Sequence, residues 1–463
     1  MNYPIYQEIK YQHPQTIFAN FSEQHGAVFL DSAQQMPGCG RYSFIGVDPF
    51  LTLMSKKTQI FLNEKKIIGD PFQVLSQQLS QFSFCTHDNM PPFQGGAIGF
   101  FSYDLYQHLE KIISAQLDDM DFPDIAIGFY DLVIAFDHEI ERAWIFSSGF
   151  PESGKSDRAQ ERLDGLVRQL QNNKTEEILT GAQFVANIKS NFTPDKYCDA
   201  VQIVKDYILA GDIFEANISQ RFHADLTQDI KPFSLYCDLR KKNPAPFSAY
   251  LVFDDTVLAS ASPERFLKLT GKHVETRPIK GTRPRGKTPA EDKRFADELL
   301  ASEKDHAENV MIVDLQRNDL SRVCEDHSVQ VSKLCGLESY ASVHHLVSVV
   351  TGKLHPDLHA VDLLRATFPG GSITGAPKIR AMEIIAEIEP TKRGPYCGSI
   401  GYIGFNGDMD LSITIRTYAI KNNRVIFQTG GAVTMDSDPA EEYEETLTKS
   451  KALRDVLNDF INR

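Results

Sequence analysis

No stretch of the 463 residues approaches 18 uninterrupted apolar positions, so no membrane-spanning helix is expected. The chain also lacks a CxxC pair. Its seven cysteines, at 39, 85, 198, 237, 324, 335 and 397, are odd in number and widely scattered, which argues against a disulfide framework and against structural zinc and leaves reduced thiols as the expectation. Basic charge is in deficit: 48 Lys and Arg face 62 Asp and Glu, and a net charge of −14 repels polyanions such as nucleic acid. A small anion in a local positive pocket remains compatible with that surface. Met1 to Gln15 is polar, with no basic segment leading into an apolar one, and a cytoplasmic location is the expectation. There is no fixed-period repeat, low-complexity tract or heptad array. A nucleotide P-loop is missing too, because Ala376 stands where the spacing from Gly370 and Gly375 requires lysine.

What is present suits large cores: 42% of residues are hydrophobic, enough for two or three domains. Residues 1–173 read as a β-rich domain, with strand-like runs at Gly26 to Asp31, Thr58 to Leu62 and Ile125 to Phe136. They close with a helix over 155–173, in which Leu163, Leu166, Val167 and Leu170 keep helical spacing. Residues 174–191 read as a polar connection. A second unit, 192–463, opens with Thr193 as cap, Pro194 in the first turn, and Val201, Val204 and Ile208 as the apolar face. Strands near 248–253, 257–260 and 266–269, helices around 291–315 and strands from 398 to 434 make it mixed, so the fold class is α+β.

Four patterns carry chemistry. Lys280 lies in the run TRPIKGTRPRG, where proline and glycine fix the backbone around one amine. Only about one free lysine in a thousand is neutral near pH 7. Arg277, Arg283 and Arg285 would raise that fraction if their heads lay close, as would burial; the alternative is a solvated basic loop. Glu308 falls on one helical face with Met311, Ile312 and Leu315, beyond Ser302 as cap, and a carboxylate on an apolar face needs a metal, a cation or hydrogen bonds. Arg317 and Arg322 are its candidate ion-pair partners. The run Asp438 to Glu445 opens a helix reaching toward Phe460, with Glu442, Glu445 and Lys449 on one face. Its acids suit the helix dipole or, as hard oxygen donors, magnesium. FPGGSITGAPK, 368–378, leads into a helix with Ile379, Met382 and Ile385 on one side; its free amides could bind an anion, or its glycines could merely allow a tight turn. Gly430, Gly431 and Arg416 are further candidate carboxylate contacts.

With GDIFEANISQRF, SASPERF, TRPIKGTRPRG, AENVMIVDLQRNDLSRV, VHHLVS, FPGGSITGAPKIRAMEII, GYIGF, IRT and GGAVTMDSDP in this order, the chain resembles the chorismate-utilising enzymes. Lys280 in PIKGT is most similar to the aminodeoxychorismate synthase component I branch; anthranilate and isochorismate synthases typically carry alanine there. The resemblance implies an anthranilate-synthase-like fold, with β-sheets packed as a sandwich core and helices outside. It implies that the Lys280 amine adds to C2 of chorismate as the C4 hydroxyl leaves, that Glu264 is the acid assisting that departure, and that ammonia then adds at C4 and expels the lysine. Glu308 and Glu445, with Glu442 adjacent, match magnesium ligands. Tyr402, Arg416, Gly431 and Ala432 match contacts to the enolpyruvyl carboxylate, and Thr374 and Gly375 match the turn near the ring carboxylate. Lys449 and His345 are further pocket candidates.

Glu215 departs from the pattern, since aminating members usually carry glutamine and water-adding members lysine; a carboxylate there could take a proton from incoming ammonium. Phe29-Leu30-Asp31-Ser32 departs from the regulatory LLES string, and Ser32, Arg41, Pro246, Phe247 and Ser248 are the residues that would line a tryptophan pocket. No GxCxGxQ glutaminase set is present, so ammonia is expected from solution or a separate glutamine amidotransferase subunit. The implied function is amination of chorismate toward 4-aminobenzoate and folate. The alternatives are anthranilate synthase component I, which releases pyruvate, and a non-catalytic chorismate-binding paralogue.

Overall fold

The computed structural model describes residues 3–36, 38–114, 116–152, 156–172, 187–227, 230–339 and 343–459. Most of the expected connection at 174–191 lies outside the described residues. Two antiparallel sheets, each of twelve strands among the described residues, form the centre of the molecule. The chain has an α+β fold.

One hydrophobic layer lies between the sheets. Val28, Phe44, Leu251, Leu258 and Ile426 reach it from the first sheet, and Ile98, Phe100, Ala126, Ile400 and Tyr402 from the second. Two further layers cover the outer faces. Helices Pro14–Phe18, Ser156–Asn172, Pro232–Lys242 and Pro439–Asp459 pack on the first sheet. Helices Pro71–Ser80, Glu303–Ser321 and Ala360–Thr367 pack on the second. Burial of both faces explains why IAIGFY, and LVIAFD up to its last residue Asp137, are apolar rather than alternating.

Both sheets draw strands from either side of the 173/192 division. Val28–Asp31 pairs with Phe247–Phe253 in the first, and Gly96–Phe101 with Ser399–Gly404 in the second. The two sequence segments therefore share cores. The run Ile125 to Phe136, expected as one strand, is two strands in different sheets, Ile125–Tyr130 and Leu132–Asp137. Asp131 stands at the crossing, fully buried and 2.8 Å from Arg162, because a buried carboxylate needs a cation partner.

Helix starts follow their caps. Thr193 accepts from the Lys196 amide before Pro194–Leu209, and Ser302 accepts from the Asp305 amide before Glu303–Ser321. The latter helix runs six residues past the expected Leu315 and buries a different face. Asn309, Ile312, Val313, Gln316 and Leu320 face inward, while Met311 and Leu315 border an open apolar groove with Phe214, Val310 and Pro377. Asn309 can face inward because its side chain bonds Ser348 and the Leu346 carbonyl. In Lys378–Ile388, Met382 and Ile385 are buried as expected, but Ile379 is exposed.

Candidate functional site

Lys280 sits on strand Ile279–Pro284 of the second sheet, where the register against Val343–Lys353 shifts between Lys280 and Thr282 and Gly281 adopts φ +71°. The bulge re-aims the lysine out of the regular ladder. Its ammonium donates to Glu215 Oε1 at 3.0 Å and lies 3.9 Å from Glu308 Oε2. Glu215 begins strand Glu215–Asp225 of the first sheet, so this contact joins the two sheets.

The three arginines do not do what their sequence proximity suggested. Arg277 pairs with Glu338 at 2.9 Å, Arg283 with Asp305 at 3.2 Å and Arg285 with Asp292 at 2.6 Å. Each is paired with an acid of another element. Burial pulls the Lys280 pKa down, but the charges of Glu215, Glu308 and Glu264 and the Glu215 hydrogen bond outweigh it and leave the amine above the ordinary lysine value. Lys280 rests as an ammonium.

Glu264 is buried and accepts from the Ser372 hydroxyl at 2.7 Å. Burial raises its pKa to about 7 against the opposing pull of Ser372 and Lys280, so near neutral pH it holds a proton for much of the time. Its sequence neighbour Arg265 is engaged elsewhere, with Asp410 at 2.9 Å and Glu275 at 3.2 Å. Ser372 belongs to the turn Gly371–Ile373 of the glycine-rich segment, which then forms the short strand Gly375–Ala376 against Glu215 and Ala216. Gly375 is required there. Its φ is +144°, and a Cβ on it would lie 2.1 Å from the Glu215 carbonyl oxygen. Thr374 is buried, its hydroxyl donating to the carbonyls of Gly370 and Gly371.

Glu308, Glu442 and Glu445 come from two helices. Lys304 Nζ is 3.7 Å from Glu442 Oε1 and 4.0 Å from Glu308 Oε1, so one ammonium lies between them. Glu308 is not paired with Arg317, which bonds Asp314, or Arg322, which bonds the Ala366 carbonyl. Burial raises Glu308 to about 7, with Lys280 opposing, and raises Glu442 as well. Burial would also raise Glu445, but Lys449, 2.5 Å away, holds it below the usual value. Among the described residues no three His, Cys, Asp or Glu side chains are already arranged as a cage. Magnesium does not need one, since it takes one or two carboxylates and completes its shell with water and substrate oxygens. Glu442 Oε2 is buried without a hydrogen-bond partner, and a Cβ at Gly431 would lie 2.6 Å from it. These residues fit a small hard cation.

Arg416 is half-buried at φ +53°, and its guanidinium bonds the Lys449 carbonyl. Burial lowers its pKa, opposed by Tyr396 and Glu445. Lys449 also donates to the Gly430 carbonyl at 2.9 Å. Gly431 and Ala432 lie on strand Arg424–Val433, opposite Ile218 and Asn217. Tyr402 is not brought here. It points into the layer between the sheets, its ring 4.6 Å from Phe93 and 5.7 Å from Phe44. Tyr396, which the sequence reading passed over, stands beside Arg416 instead; the signal was its place after Gly394 and Pro395 at the entry to the same strand. His345 bonds the Thr282 hydroxyl at 2.8 Å and burial lowers its pKa to about 4, so the ring is neutral.

The five tryptophan-pocket candidates lie around strands Val28–Asp31 and Phe247–Phe253. Ser32 donates to the Tyr42 carbonyl at 2.6 Å, Arg41 is forked onto Asp137, Ser248 is paired with Asp31 in register, and Phe247 lies under Arg265. Pro246 is buried next to them. The polar groups there already have partners within the chain.

A family model described as chorismate binding enzyme matches residues 28–455. The aminodeoxychorismate synthase component 1 of Bacillus subtilis (strain 168) is 40% identical over 440 residues, spanning 93% of this chain and 91% of that protein. That of Escherichia coli (strain K12) is 40% identical over 437 residues, 93% of each. Anthranilate synthase component I from Streptococcus pneumoniae TIGR4 has a similar structure, with a TM-score of 0.81 at 35% identity, covering 90% of this chain and 92% of that one.

Proposed function

The chain belongs to the chorismate binding enzymes, and from that premise we propose that it is the component that aminates chorismate at C4 to 4-amino-4-deoxychorismate, with nitrogen supplied as ammonia by a separate glutamine amidotransferase subunit. The observation that carries the reading is the buried Lys280 amine, 3.0 Å from Glu215 and 3.9 Å from Glu308, with the charge of Glu264 also acting on it.

In the first half-reaction Lys280 gives up its ammonium proton to solvent, the C2–Nζ bond forms as the resulting amine adds, the ring double bond shifts, and the C4–O bond breaks. Glu264 gives the departing hydroxyl its proton, and the proton lost by the new amine restores Glu264. Water leaves and a secondary amine links Lys280 to the ring. General acid help of this kind typically contributes about 10²- to 10⁴-fold. Arg416, a planar two-pronged donor whose guanidinium bonds the Lys449 carbonyl, would bind a substrate carboxylate. Glu308 and Glu445, with Glu442 beside them, would hold magnesium, which supplies Lewis acidity toward a second substrate carboxylate when bound.

The enolpyruvyl group survives this sequence, whereas anthranilate formation would release pyruvate. Incubating the protein with chorismate, magnesium and ammonium and identifying products by mass spectrometry tests it: aminodeoxychorismate is expected, and anthranilate with pyruvate would overturn it. Binding without turnover would leave a chorismate-binding protein.

A further inference from the structure

Glu215 is fully buried, yet only one of its carboxylate oxygens is used. Oε1 accepts from Lys280, and Oε2 has no hydrogen-bond partner. A buried carboxylate is an acceptor only, and leaving one of its oxygens unmet is costly unless something else supplies a donor. The backbone leaves it no freedom to turn away. Phe214 donates to the Ala376 carbonyl at 2.7 Å, Glu215 and Ala216 pair with Ala376 and Gly375, and Phe214, one residue earlier, is exposed on the apolar groove. Strand alternation therefore puts residue 214 outside and residue 215 inside, beside the lysine.

We propose that Glu215 Oε2 is the binding point for the incoming nitrogen, taken up as ammonium. The inference rests on the amination reading above. It accounts for both oxygens: Oε1 faces the nitrogen that leaves the ring, and Oε2 faces the one that enters. In the second half-reaction ammonium gives one proton to Oε2 and becomes ammonia. The N–C4 bond forms, the double bond shifts back, and the C2–Nζ bond breaks with its electron pair passing to Nζ. A half-turn of the Glu215 carboxyl then carries that proton from the ammonia side to the lysine side, and Nζ takes it. The product leaves with a protonated amino group, and Lys280, released as an amine beside a carboxylate, takes a proton from solvent and returns to its resting ammonium. Charge and hydrogen balance without a further reagent.

Ammonium and neutral ammonia are told apart by pH. A carboxylate that takes ammonium keeps the KM for total ammonium flat between mildly acid and mildly alkaline pH. In Glu215→Gln the amide cannot accept the proton, so KM should rise about tenfold or more at neutral pH, the scale of one hydrogen bond to a charged group, and should fall as pH rises. The kcat at saturating ammonium should fall as well, because the same carboxyl returns the proton to Nζ, whereas the KM for chorismate should change much less. An ammonium KM that is unchanged in the variant overturns the proposal. The wild-type protein gives a second readout that does not depend on the variant folding: the Lys280 adduct, formed with chorismate alone and followed by intact mass, should decay at a rate that saturates with ammonium. Strict proportionality would mean that no ammonium site exists. A wild-type protein that forms no aminated product would overturn the amination reading itself and this inference with it. Normal amination with proportional adduct decay would overturn only the inference.

Discussion

Lys280 of the second sheet donates to Glu215 of the first across 3.0 Å, so the reactive amine is held at the seam where the two sheets meet. Neither partner belongs to a flexible tip. Each is fixed by strand pairing on its own side, Lys280 opposite Leu346 and Glu215 opposite Ala376.

Removing the proposed nucleophile should give the sharpest loss. Lys280→Ala should lower aminodeoxychorismate formation by about 10³-fold or more and abolish the mass gain of chorismate less one water on the intact protein. Retention of that mass gain in the variant would assign the adduct to another residue.

As the proposed acid, Glu264 is expected to set the alkaline limb of the pH profile. It works as an acid only while protonated, so turnover should fall as pH rises through about 7. Glu264→Gln should lose about 10²- to 10⁴-fold and, with it, that limb. The same carboxyl makes stability pH-dependent. Its folded pKa lies above its unfolded value, so the protonated form favours folding below the usual carboxylate range, and that contribution is lost as pH rises through about 7. Melting temperatures of the wild-type protein and Glu264→Gln across this range would measure the difference.

Lys304 competes with any cation for Glu308 and Glu442, at 4.0 and 3.7 Å. Lys304→Ala should lower the magnesium concentration needed for half-saturation by several-fold, read by calorimetric titration as well as by activity. An unchanged midpoint would remove Lys304 from the metal equilibrium.

Arg416→Lys keeps the charge and loses the fork. The KM for chorismate should rise about tenfold, with a smaller change in kcat, as one of two parallel charged hydrogen bonds is lost. An equal fall in kcat at unchanged KM would place Arg416 in the reacting step.

Gly375→Ala tests the scaffold rather than the chemistry. The added methyl would meet the Glu215 carbonyl at 2.1 Å in a backbone conformation that side chains avoid, so the variant should be destabilised by about 2 kcal/mol or more. Its melting temperature should fall with activity. A stable variant with normal activity would show that the 370–377 turn can move without disturbing Glu215.

Local signals were the legible part of this chain. Thr193 with Pro194 and Ser302 announce helix starts because a cap needs only neighbouring atoms, and Leu163 and Leu166 announce a buried face because periodicity is local. Motif order was specific enough to identify the family. Long-range pairing was not legible. Arg277, Arg283 and Arg285 are near Lys280 in sequence, but each turns to an acid contributed by another element, and Glu215, 65 positions away, is the residue that meets the amine. Tyr402 illustrates the sensitivity of strands to phase: side chains alternate, so Tyr402 goes into the layer between sheets while Ile403 faces the opposite layer. Asp131 hid a change of sheet, since only the position of Arg162 shows where the chain must turn.

The interleaving of strands bears on how the protein is made. Thr417–Lys421 lies between Thr256–Ser262 and Arg424–Val433, and Ser399–Gly404 between Gly96–Phe101 and Met409–Ile413. During synthesis neither sheet can be completed until strands beyond residue 398 have left the ribosome, and Gly96–Phe101 waits with an open edge until then. Contacts of such sequence separation are slow to form, and the waiting edge is where a nascent chain would pair wrongly or engage a chaperone.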